Sequence, residues 1–139
     1  MPIVNYPVSI AYRAVPNMQG VQPAAEVTLY SGGMTAIAVA VFDSGSVYTV
    51  FSGRYAELLG IEDVTTGNRV GISTLAGLRD IYLFDLEIQL REAGRRFAAQ
   101  IGFFAGHTAR NILGRSVIFA AFEIGFHERV QRIHLRPEA

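Results

Sequence analysis

The chain has no cysteine among its 139 residues. Disulfides, thiolate nucleophiles and cysteine-ligated zinc are therefore excluded. It has no charge bias either: Lys plus Arg total 12, and so do Asp plus Glu. That balance gives no reason to expect nucleic acid or an anionic membrane as a partner. The most basic stretches, residues 91–96 and 129–136, are interrupted and read as solvated strand or turn positions. No uninterrupted apolar run reaches the ~18 residues of a membrane span. The N-terminus has no positive region before an apolar core, so no secretory signal is read there and a cytoplasmic setting is expected. His107, His127 and His134 stand at no metal-ligand spacing, so no metal is expected and no cofactor is implied. Residues 71–77 lack the Gly-Lys-Ser/Thr ending of a phosphate loop. With half its residues hydrophobic and only 17% charged, the chain has the composition of one folded domain with a real core.

What stands out is an apolar run, Ala36-Ile37-Ala38-Val39-Ala40-Val41-Phe42, that ends on Asp43-Ser44-Gly45. Such a run predicts a strand buried on both faces. A carboxylate at its end is costly unless it is paired, hydrogen-bonded or functional. Ser44 adds a hydroxyl, and Gly45 permits a tight turn with close backbone access.

Turn signals and alternation predict further strands at 8–14, 25–30, 35–42, 47–51, 78–90, 96–104, 123–126 and 130–135. Ser31-Gly32-Gly33 reads as a hairpin turn. Ser52 is placed to cap a short helix over 53–59, stopped by Gly60, and a second short helix is expected over 116–122. The segment 15–23 reads as a connection, and 63–71 is polar and Gly-rich. Many short strands with one or two short helices predict an all-β, barrel-like domain.

Four blocks in order carry a family resemblance. The first is Val27-Thr28-Leu29-Tyr30-Ser31-Gly32-Gly33 leading to Val41-Phe42-Asp43-Ser44-Gly45-Ser46. The second is residues 52–61, ending in Leu59-Gly60-Ile61. The third is Gly71-Ile72-Ser73-Thr74-Leu75-Ala76-Gly77, and the fourth is Asn111-Ile112-Leu113-Gly114-Arg115. Together, over about residues 24–136, they resemble the single-domain retropepsin-like aspartic proteases of retroviruses and bacteria. The resemblance implies an acid protease barrel over 24–139, preceded by an extension or strand over 1–23. It implies Asp43 as the catalytic carboxylate, with Ser44 bracing and Gly45 offering its carbonyl to substrate. Ser46, Val47 and Tyr48 would line the substrate site. Gly71 to Gly77 would form a mobile flap, and Ile112 to Arg115 would be the motif that supports the site.

Hydrolysis by water needs one group to take a proton and another to give one. Two close carboxylates share a single proton and titrate as a pair. The chain has one Asp-Ser-Gly, and Asp63, Asp80 and Asp85 lack Ser/Thr-Gly after them. The expectation is therefore a homodimer, with one Asp43 from each copy meeting on a two-fold axis and an extended peptide or protein as substrate. Two departures stand out. Val47 occupies the position where viral members often carry an acid that pairs with the motif arginine, and Ser116 replaces the common Asp or Asn. They motivate an alternative: a non-catalytic peptide-binding or dimerisation module on the same fold. A variant of the enzyme reading has residues 1–23 acting as an autoinhibitory segment.

Overall fold

The computed structural model describes residues 5–108 and 110–138. The chain opens with short strands β1 (Val8–Ala11), β2 (Arg13–Ala14) and β3 (Val21–Gln22). A hairpin follows, β4 (Ala24–Ser31) and β5 (Met34–Phe42), then β6 (Val50–Phe51) and one helix, α1 (Gly53–Leu58). β7 (Asn68–Thr74) and β8 (Gly77–Leu90) form a second, long hairpin, and β9 (Arg96–Phe104) returns along β8. The chain finishes with β10 (Ile112–Leu113), β11 (Phe122–His127) and β12 (Arg132–Pro137). The fold is all-β with few short helical pieces.

Seven strands run in the order β4-β5-β10-β6-β9-β8-β7, and β4 also pairs with β8. That extra pairing, with Leu29 opposite Ile88, closes the sheet on itself. β7 is left outside the ring as the free arm of its hairpin. Inside the ring lie Leu29, Phe51, Ile88, Leu90, Ile101, Phe103 and Leu113, all fully buried. A second, three-stranded sheet of order β1-β12-β11 stands beside it.

β5 differs from expectation. Ala36, Ala38 and Ala40 point inward, but Ile37 is 61% exposed. Only the end of the strand is buried on both faces. There Val39 and Val41 are covered by Val15 and Met18 of the preceding connection. At the same end Val41 and Phe42 pair with Ile112 and Leu113 of β10. Burial thus comes from what crosses the strand, not from its composition. The strand expected over 8–14 is split into β1 and β2, and that over 47–51 is reduced to Val50–Phe51. Within the polar stretch 63–71, β7 starts at Asn68, its polar residues tolerated because that arm is exposed.

The helix expected over 116–122 is present only as a short, distorted piece, broken at Ser116 and Val117. Residues Arg115–Phe119 make one wide, irregular turn, and Phe122 already begins β11. Ser116 is extended and Val117 sits at φ +80°, ψ −73°. The reason is competition for backbone groups. Arg115 N–H donates to the Ser46 carbonyl and Ser116 N–H to the Val47 carbonyl, both at 2.8 Å. A β-branched residue at positive φ is strained by about 1–3 kcal/mol, and these long-range bonds hold it there.

Ser52 caps α1 as expected. Its hydroxyl oxygen accepts the Arg54 N–H at 3.3 Å and the Thr108 N–H at 3.0 Å. It is 2% exposed, so its loss leaves two donors short of an acceptor away from water. Ser52→Ala is expected to lower stability by about 1–2 kcal/mol in urea unfolding, with the slope unchanged.

Candidate functional site

The site is built where β5 ends. Asp43 is half-buried. Its N–H donates to the Leu113 carbonyl at 3.0 Å, so β10 fixes the backbone of Asp43. Its Oδ1 accepts the Gly45 N–H at 2.9 Å. This is the local turn that Asp favours, the carboxylate binding an amide two residues on. A Cβ on residue 45 would lie 3.1 Å from that same oxygen, so Gly45 lets the loop fold closely over the carboxylate. Ser46 N–H closes the turn on the Asp43 carbonyl at 3.1 Å. Ser44 and Gly45 are exposed, as is Val47 at 52%.

The predicted supporting motif is brought against this loop. Leu113 and Gly114 are buried, Ile112 half-buried. Gly114 approaches so closely that a Cβ there would stand 2.1 Å from the Tyr48 carbonyl oxygen and 2.9 Å from that of Ser46. Glycine is required here by contact, not by backbone angle. Arg115 gives its N–H to the loop, but its exposed side chain pairs with no carboxylate among the described residues. At the position where the resemblance would put an acid stands Val47, which offers the guanidinium no charge.

Two supporting side chains carry no distinctive signal in the sequence. Thr49 is wholly buried; its hydroxyl accepts the Gly114 N–H at 3.0 Å and donates to the Ser116 carbonyl at 2.8 Å. Asn111 is 7% exposed; its Oδ1 accepts the Ser52 N–H at 2.9 Å and its Nδ2 donates to the Val39 carbonyl at 3.0 Å. A hydroxyl inside the apolar run 47–51 was the only available hint for Thr49. Asn111 stands directly before the motif without a hint of its partners.

The β7–β8 hairpin covers the predicted flap. Its turn is Leu75-Ala76 between the paired Thr74 and Gly77. Gly77 adopts φ +102°, a conformation that suits glycine. The Thr74 hydroxyl donates to the Gly77 carbonyl and accepts the Ala76 N–H, bracing the tip. Gly71 is an ordinary rung of the ladder, opposite Asp80. Ile72 and Val70 pack with Tyr48 against Val50, Ile81, Leu83 and Phe104. The hairpin is therefore anchored on the strand that leaves the Asp43 loop. Ser73, Leu75, Ala76 and Gly77 are exposed, Leu75 completely.

Chemically, one chain offers one carboxylate in a fixed turn beside an exposed loop and an apolar-tipped hairpin. A cavity of about 360 Å³ lies elsewhere, between Val15, Ile37, Arg54, Tyr55 and His107, and does not include Asp43. No cluster of three metal-ligating side chains exists among the described residues. No helix among them is long and apolar enough to cross a membrane. Comparison with family models and with curated proteins finds no match to this chain.

Proposed function

We propose that the chain is a retropepsin-type aspartic endopeptidase that acts as a homodimer in the cytoplasm. The observation that carries this is the setting of Asp43. A single carboxylate ends an inner strand, pinned by a neighbouring amide and by a short strand that crosses beside it. Two such loops facing each other across a two-fold axis make a pair of carboxylates sharing one proton. The ionised member takes a proton from water as the oxygen attacks the peptide carbonyl carbon. The protonated member gives its proton to the carbonyl oxygen. The tetrahedral intermediate then collapses, its C–N bond breaks, and the amine leaves with a proton from the pair. In this reading the exposed Ser44 hydroxyl braces the two loops, and Gly45 presents its carbonyl to the peptide. The peptide lies as an added strand under residues 71–77, which close over it.

The test is cleavage of a diverse peptide library from about pH 4 to about pH 7, wild type beside Asp43→Asn. Cleavage by wild type alone supports the shared-proton pair. Cleavage by both, or by neither from folded protein, sinks it.

One pair of observations favours a second reading, a non-catalytic peptide-binding or dimerisation module. Arg115 lacks the acid that would lock it to the loop, and β1 pairs with β12 of its own chain, taking up one edge of that terminal strand. Light scattering separates the two cheaply: a strict monomer at high concentration favours the module.

A further inference from the structure

We infer that Arg79 selects peptides carrying an acidic side chain near the cleaved bond; this rests on the groove assigned above and names what it prefers. Arg79 lies opposite Ile72 in the hairpin ladder, two rungs from the Val70–Ile81 pair. Side chains alternate along a strand, so Arg79 shares its face with Ile81 and Leu83. That is the face that packs with Tyr48 and Val50, the residues that follow the Asp43 loop. The opposite face carries Leu78 and Asp80, and Asp80 is paired there with Arg69 at 3.8 Å.

The guanidinium carbon of Arg79 lies 4.3 Å above the centre of the Phe104 ring. The ring holds the cation from one side only, and a guanidinium has five N–H donors, so donors are left over for a ligand. No carboxylate among the described residues pairs with it, and the side chain is exposed. Among the described residues four ion pairs use an arginine, so carboxylates are not scarce; none is spent on Arg79. A guanidinium held over a ring and unpaired among the described residues is placed to meet the two oxygens of an Asp or Glu side chain. Fixing it beforehand reduces the entropy lost when the peptide binds. In a homodimer the two-fold axis supplies a second Arg79 on the other side of the scissile bond. The preferred substrate has an apolar centre with an acid on one or both flanks.

The experiment uses full-length protein and two readouts. Fluorescein-labelled peptides with Asp or Glu, or their amides Asn or Gln, at each flanking position are titrated against Asp43→Asn. The same peptides are offered to the wild type for cleavage. The expected result is an affinity preference for acid over amide of about five- to tenfold at one flanking position. The same preference appears in KM, with kcat little changed. Arg79→Glu reverses it toward Lys or Arg, and Arg79→Lys keeps it in part. Equal affinity for acid and amide peptides overturns the inference. So does an acidic preference that survives Arg79→Glu, or the absence of any binding. If Asp43→Asn binds acidic peptides through Arg79 while the wild type cleaves none, the protease reading falls and this one stands.

Discussion

Asp43→Asn is expected to reduce peptide cleavage by on the order of 10³-fold or more, with the melting temperature shifted by only a few degrees. The fold survives because Asn is nearly the same shape and its Oδ1 still accepts the Gly45 N–H that Asp43 accepts at 2.9 Å. The backbone bond from Asp43 to Leu113 does not involve the side chain at all. What is lost is the ability to exchange a proton with water and with the carbonyl oxygen. A sharper form of the result uses a mixture. If one carboxylate from each copy is needed, a mixed dimer has only one and is inactive. Adding an equal amount of Asp43→Asn to wild type, with time to exchange, should then remove about half of the activity. Activity that stays constant through the titration would falsify the shared site, because a chain that carries its whole machinery ignores an inactive neighbour.

The second large effect is on stability. Gly114→Ala is expected to cost about 3 kcal/mol or more, because overpacking against backbone has no cheap relief. The new methyl carbon would sit 2.1 Å from the Tyr48 carbonyl oxygen and 2.6 Å from its carbon. A side chain in that position could swing aside, but a carbonyl cannot move without its strand. Tyr48 and Thr49 would have to withdraw, and with them the Thr49 hydroxyl bonds to Gly114 and Ser116. Gly33→Ala is the control. Nothing lies within 4 Å of its added carbon, so a change within about 0.5 kcal/mol is expected. Urea unfolding of both variants checks the contrast. A small effect at Gly114 would mean that the motif and the Asp43 loop are not interlocked as described.

Local signals in the chain worked where local physics decides the outcome. The turn after β4, the Ser52 cap of α1 and the alternation of β8 all follow from neighbours in sequence. The turn at Asp43 belongs with them, since its acceptor and donor are two residues apart. The wide turn at Arg115–Phe119 does not. Its residues have acceptable helix chemistry, yet their amides are claimed by Ser46 and Val47, far back in the chain. Exposure of Ile37 was hidden for a related reason: whether a strand face is covered depends on which remote segment crosses it. Thr49 and Asn111 illustrate the same limit. Each bridges two or more segments, and a hydroxyl or amide in the sequence does not announce how many strands it ties together.

The pairing of Val8 with Leu135 has a consequence for how the molecule is made. During synthesis β1 emerges more than 100 residues before its mate β12. For that whole interval the edge of β1 is an unsatisfied template, open to any extended segment nearby. The closed ring can assemble earlier, since β4 to β10 are complete by Leu113. Assembly is thus split in time, with a barrel first and a terminal sheet afterwards. Ribosome-bound chains halted before Arg132 should protect the amides of β4 and β5 from exchange while those of β1 remain open.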